Sequence, residues 1–369
     1  MSVRRIGYVV FIFLCSFLEA QTFSISNFNL EINSFFVSEK RIPMFQTEAA
    51  ISTRFSPTNN ILMNLDISSY IDNITDFVHP LTEYRKPAYL YFDGASIQFP
   101  YINETTTVLS VFTGFFDDPS SSSLLRDYFK LTYTKPTFRS LPSGSVFDPQ
   151  VDINGTGVAL TGVPGNKNIA IGVYGYWKSL RNDEGMLTGT FRIARPGTVF
   201  SVNAYGGFIG EITTGKAFIN GGFSSLLGSD SSGQLYIEAI IKEYSPGETR
   251  IDRNIHILFE PRIKGEYQDV SFTFFYSPTK ENNTNFLGTN LLWGIGSIEK
   301  QKMRGGLSLL GTFNPENPGT LTPFSFSVTP FYSIMKGDFL FQIAATLNPL
   351  LMNDYRSAAK IQGTIKAVY

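Results

Sequence analysis

The chain has 369 residues, a formal net charge of -1, 43% hydrophobic residues and 17% charged residues. A balance this even argues against a polyanion-binding surface, so nucleic acid is not an expected partner. The length accommodates two ordinary soluble domains or one large all-β domain.

At the N-terminus, in MSVRRIGYVVFIFLCSFLEAQTFS, Arg4 and Arg5 form a positive region and residues 6–18 an apolar one, with Ala20 a small residue before a cut at Gln21. Residues 1–20 therefore read as a secretory signal peptide and 21–369 as one mature domain. The larger Leu18 leaves the cut uncertain by a residue or two. The single cysteine, Cys15, falls inside the leader, so the mature chain is expected to hold together without disulfides. No later apolar run reaches the ~20 residues that a transmembrane helix needs.

From Phe28 onward a period of two dominates. Phe28, Leu30, Ile32 and Phe36 oppose Asn29, Glu31, Asn33 and Phe35; Phe45, Thr47, Ala49, Ile51 and Phe55 oppose Gln46, Glu48, Ser52 and Arg54. Residues 70–86 break the pattern and read as a long loop, and PSGSVFDP interrupts it again within 120–160. The dry faces then resume with Ile169, Ile171, Val173 and Trp177, with Leu187, Phe191 and Ile193, and with Phe200, Val202 and Phe208. They continue through Leu235 and Ile237, Ile257 and Phe259, Phe272 and Phe274, and Leu291, Trp293 and Ile295. Phe324, Tyr332 and Ile334 lead through the tight connection Met335-Lys336-Gly337-Asp338 to Phe339, Phe341 and Ile343. The last stretch, AAKIQGTIKAVY, sends Ile361, Gly363, Ile365 and Ala367 to one side and Lys360, Gln362, Thr364 and Lys366 to the other. A helix would scatter both sets; a strand separates them.

On alternation alone, a soluble antiparallel sandwich competes evenly with a membrane barrel. Three features favour the barrel: polar but sparsely charged wet faces, aromatics such as Trp177, Trp293, Phe200, Phe324, Tyr276 and Tyr369 near strand ends, and dry faces almost free of charge. About 19 candidate strands of roughly 9–11 residues fit a tilted bilayer crossing. An even number is required of a bacterial barrel, so the expectation is a single closed antiparallel transmembrane β-barrel of 18 strands, with 16 as the alternative.

The leader, the cysteine-free alternating chain, the turns that alternate broadly with longer loops, the closing aromatic, and the segment KPAYLYFDGASIQFP followed by TTTVLSVFTGFFDD together resemble bacterial outer-membrane barrels of the porin type. The resemblance implies a terminal strand read by the barrel-assembly machinery, here residues 359–369 ending on Tyr369, with Tyr in place of the commoner Phe. It also implies surrounding outer-membrane lipid in a diderm bacterium, and porin relatives are often homotrimers. It gives no solute.

A lumen of this width passes water unless loops fill it, so passive diffusion of small hydrophilic solutes is the expected function. Alternation sends Arg54, Lys130, Arg192, Lys242, Arg262, Lys360 and Lys366 inward, with Glu31, Glu48, Asp66, Glu238 and Glu260 as the inward anions. Glu260, Arg262, Glu238 and Lys242, with His256 on the same face, form a conceivable cluster that would orient polar solutes; mutual salt bridges on a wet wall are the plainer reading. The cationic excess is slight, which predicts weak selectivity at most. A non-conducting adhesin or scaffold and a channel for apolar compounds are the alternatives. Catalysis is not expected: there is no GxSxG, and His79 and His256 are the only histidines, too few for a metal site without cysteine. No cofactor is implied.

Overall fold

The computed structural model describes residues 22–36, 43–71, 89–100, 106–119, 123–131, 147, 149, 151–165, 168–179, 185–212, 214–229, 233–279, 284–314, 324–350 and 359–367. The leader 1–20, His79 with most of 70–86, and Tyr369 lie outside the described residues.

Eighteen strands form one sheet. They are β1 (Thr22–Phe36), β2 (Pro43–Thr58), β3 (Ile61–Ile71), β4 (Tyr89–Phe99), β5 (Val108–Asp117), β6 (Ile153–Gly162), β7 (Ala170–Ser179), β8 (Gly185–Arg195) and β9 (Phe200–Glu211). The second half comprises β10 (Ala217–Ser229), β11 (Gly233–Tyr244), β12 (Ile255–Lys264), β13 (Gln268–Thr279), β14 (Thr284–Ser297), β15 (Met303–Phe313), β16 (Phe324–Lys336), β17 (Phe339–Leu347) and β18 (Ala359–Ala367). Each strand pairs antiparallel with its neighbours in the chain, and β1 also pairs with β18, Leu30 opposite Ile365 and Asn33 opposite Gln362. The ring therefore closes with 18 strands, the number expected once an even count is required, and leaves no unpaired strand among the described residues.

Antiparallel order places short connections at one end, including Asn59-Asn60 and Gly337-Asp338, and long ones at the other, including 72–88, 118–152, 314–323 and 348–358. Gly337 has a φ of 59°, a left-handed conformation that suits a residue without a Cβ in this two-residue turn. The hairpin expected from KPAYLYFDGASIQFP and TTTVLSVFTGFFDD is β4–β5, with Gly94 opposite Gly114.

Burial runs opposite to that of a water-soluble sandwich. Along β8, Phe191 is 48% exposed and its neighbour Arg192 is 0% exposed. Leu187 and Ile193 point out with Phe191, whereas Thr188, Thr190 and Ala194 are buried. The same inversion holds at Phe259 against Glu260, Phe272 against Thr273 and Leu291 against Asn290. In the outward set of strand positions, Arg195 and Lys336 are the charged residues among the described ones, and each is the last residue of its strand at the short-turn end. Arg or Lys at a bilayer midplane costs about 2–4 kcal/mol, so this surface is suited to hydrocarbon. Trp177 and Phe324 lie toward the long-loop end, Trp293 and Phe200 toward the short-turn end, as two aromatic girdles require.

The interval 120–160, which breaks the alternation, yields β6 and a short helix α1 (Ser123–Phe129). Lys130 thus belongs to no strand, and the alternation that sends it inward does not apply. It follows α1 with a φ of 58° and is exposed, its Nζ 3.3 Å from the Asp127 carbonyl oxygen. A seven-residue helix carries too few turns to show a helical period in the sequence.

Candidate functional site

Of the connection between β5 and β6, the described residues Leu124, Leu125 and Phe147 are buried inside the barrel. Helix α1 packs on β7 and β8, where Ala170 and Ala194 face each other across the ladder. Both alanines join a buried cluster with Leu124 and Leu125 of α1. Small side chains on the wall leave room for the leucines.

One arginine fixes the start of this segment. Arg192 of β8 is ion-paired through Nη1 with Asp117, and the same nitrogen donates to Ser123 Oγ at 2.9 Å. Tyr174 donates its hydroxyl to Asp117 at 3.3 Å, and Ser123 Oγ donates to the same carboxylate at 3.1 Å. Asn203 of β9 accepts from Arg192 Nη2 at 3.5 Å and donates to the Pro119 carbonyl at 2.9 Å. A guanidinium taken out of water needs this much compensation. At the far end of α1 the Tyr128 hydroxyl meets Thr161 Oγ1 at 2.6 Å, and burial pushes the phenol pKa up, so it stays neutral.

Farther along the segment, Phe147 reaches β12 and β13. Its ring lies edge-on to Phe275 at 5.5 Å and to His256 at 6.3 Å, and Phe275 meets Phe286 at 6.0 Å. Val151 joins Tyr205 and Ile240. Gly288 of β14 lies against Phe275, whose ring occupies the place a Cβ would take. Gly288→Val should therefore overpack this contact and cost about 1–3 kcal/mol. The check is the temperature at which the folded barrel loses its characteristic migration in detergent gels, which should fall.

The expected cluster on β11 and β12 is present in part. Arg262 Nε donates to Glu260 at 2.6 Å, Thr273 Oγ1 donates to the other carboxylate oxygen at 2.6 Å, and the guanidinium lies 5.0 Å above the Tyr236 ring. Glu238 is buried opposite Leu258, and His256 Nδ1 is 3.0 Å from Ser277 Oγ. Lys242 is half-buried near the long-loop end and forms no ion pair among the described residues. Sequence reasoning missed Asp117, Ser123 and Asn203, and also the Asp269–Arg304 pair, 2.5 Å apart, with Arg304 over Phe331 at 5.4 Å. Gly294 leaves room for that pair, since a Cβ there would come within 2.5 Å of Asp269 Oδ1. Among the described residues, no group of three or more His, Cys, Asp or Glu could hold a metal ion.

The two sides of the interior differ. Inward residues of β12–β16 such as Glu260, Thr273, Asn290, Ser308 and Thr329 are fully buried. On β18 and β1–β4 the inward side chains are mostly half-buried or exposed. There Glu31 stands opposite Glu48, Asn33 Nδ2 donates to Glu31 at 2.8 Å, and Gln46 is hydrogen-bonded to Tyr70. Ser68 donates to Asp93 at 2.9 Å, and Arg54, exposed, donates to Asn64 at 3.2 Å. Lys360 is exposed, and half-buried Lys366 lies opposite Asn29.

No protein-family model and no curated protein matches the chain. Solved structures do: OccK1 (OpdK) of Pseudomonas aeruginosa superposes with a TM-score of 0.55 at 8% identity, over 92% of this chain and 97% of that one. The barrel is porin-like. A mutant of the Rh. blastica porin aligns over 94% of this chain and 99% of that one, with 8% identity and a TM-score of 0.49. OprB of Pseudomonas putida, in its low-pH structure, gives 0.43 at 7% identity over 98% and 95%. At these identities the porin-like character is one of fold.

Proposed function

We propose that this porin-like barrel is an outer-membrane channel through which small hydrophilic solutes diffuse passively with weak selectivity. The reading rests on the inverted alternation, large apolar side chains exposed outside and polar ones enclosed, best displayed by Phe191 beside Arg192. A ring with an apolar exterior is stable in hydrocarbon, and its polar interior holds water. Export behind residues 1–20, insertion by the barrel-assembly machinery with Tyr369 as its signal, outer-membrane location in a diderm bacterium and assembly as a homotrimer belong to the same reading. Arg54, Lys242, Lys360 and Lys366 are the pore-lining cations, and Lys130 contributes from the inward segment. Glu238, Glu260, Arg262, Arg192 and His256 shape the bore from its packed side. The protein transports and does not catalyse, and it needs no cofactor.

A second reading, a non-conducting barrel serving as adhesin or scaffold, is favoured by one observation: Leu124, Leu125, Phe147, Phe275, Phe286 and Leu310 form an apolar cluster inside the ring. Planar bilayers separate the two. Purified protein should give stepwise conductance increments if it is a channel, and inserted but silent protein favours the scaffold. Protection of the barrel against unfolding by added fatty acid would point instead to apolar substrates.

A further inference from the structure

Resting on the channel reading, we infer that the open passage runs along the inner wall of β18 and β1–β4 and prefers cations, small inorganic ones and amine-bearing solutes alike. Two independent observations carry this.

The first is where water has access. Arg192, Glu260 and Arg262 lie on faces closed over by packing, whereas Glu48 is exposed and Glu31, Asp66 and Asp93 are half-buried. The described residues of the inward segment pack on the β7–β14 side, and the described inward side chains of the other wall are mostly half-buried or exposed. Solutes therefore meet the charges of that wall, and the arginines of the packed side are screened from them.

The second is how the charges are matched. Arg192, Arg262 and Arg304 are each ion-paired within the protein, with Asp117, Glu260 and Asp269. Glu31, Glu48, Asp66 and Asp93 form no ion pair among the described residues. They descend the wall in steps, Glu31 and Glu48 directly opposed nearest the long loops, Asp93 next to Ser68, and Asp66 opposite Ser52. Against them stand Lys360, exposed near the long-loop end of β18, Lys366, one row below Glu31, and Arg54, beyond Asp66 toward the short-turn end. Four carboxylates thus face three cations.

Like charges directly across a ladder are destabilising, and a mobile cation offsets the repulsion. Asn33 is consistent with such an occupant. It is 8% exposed, its amide nitrogen is spent on Glu31, and its Oδ1 has no hydrogen-bond partner, adding an oxygen acceptor beside the carboxylate pair. Carboxylate and amide oxygens are acceptors only, so they discriminate against anions.

The test uses the full chain in planar bilayers under a potassium chloride gradient, reading the reversal potential. The expected result is severalfold preference for potassium over chloride, larger at low salt, where screening is weaker. E31Q combined with E48Q should bring the ratio toward unity, and K366Q should raise it. D66N, one step along the wall, is the second probe should the double variant fail to close as a barrel. Conductance without cation preference, or a ratio unmoved by both E31Q/E48Q and D66N, overturns the inference and leaves the channel reading standing. Absence of any conductance step overturns both.

Discussion

Arg192→Met is expected to release the inward segment and enlarge the conducting path, giving larger and noisier current steps than the unaltered chain. Removing one partner of a buried ion pair costs about 3–5 kcal/mol, because the other charge is left buried alone. Here Asp117 would keep only neutral donors, Ser123, Tyr174 and the Asp118 backbone N–H. The barrel ladder itself does not depend on this pair, so closure should survive while the segment loosens. Combining Arg192→Met with Asp117→Leu should recover most of the lost stability, since a buried pair replaced on both sides by apolar groups is close to neutral. Amide hydrogen exchange in 118–131 provides the direct check: fast exchange in the single variant and intermediate exchange in the double. Unchanged protection in Arg192→Met would mean that α1 is held by its leucines alone.

The second large effect concerns the outer surface. Ile343, 56% exposed at the middle of β17, should tolerate no charge: Ile343→Arg is expected to cost about 2–4 kcal/mol of folding into vesicles. Its neighbour Gln342 faces the other side of the ladder, opposite Thr364 and Ser333. Gln342→Arg should therefore change that stability much less. Urea titration of both variants in lipid vesicles makes the comparison, and equal losses would contradict an outside of hydrocarbon and an inside of water.

The strands were legible because a single physical rule governs each of them. Where both neighbours in the ring exist and one face meets an apolar phase, every second residue must be apolar, and Phe339, Phe341 and Ile343 obey this as plainly as Ile361, Gly363 and Ile365. Face assignment was legible too, so Arg192, Glu260, Arg262 and His256 lie on the enclosed side that alternation gives them. The inward segment obeys no such rule. Leu124, Leu125 and Phe147 are buried by contact with residues far away in sequence, Ala170, Ala194 and Phe275 among them, and no local period marks that encounter. For the same reason the partner of Arg192 could not be read: Asp117 ends a strand three hairpins earlier, and only the ring brings the two together. Inward charges counted along the chain show a slight cationic excess; pairing and packing withdraw Arg192, Arg262 and Glu260, and the wall of β18 and β1–β4 keeps four carboxylates against three cations.

The pairing of β1 with β18 makes neighbours of the earliest and latest strands, so Leu30 has to wait for Ile365. Contacts of such long sequence separation form slowly, and until they do, an incomplete ribbon carries two raw margins able to join a stranger's. A nascent molecule of this kind gains nothing from folding early. Closure is then one late event, and the joint between β1 and β18 is the step on which a complete ring depends.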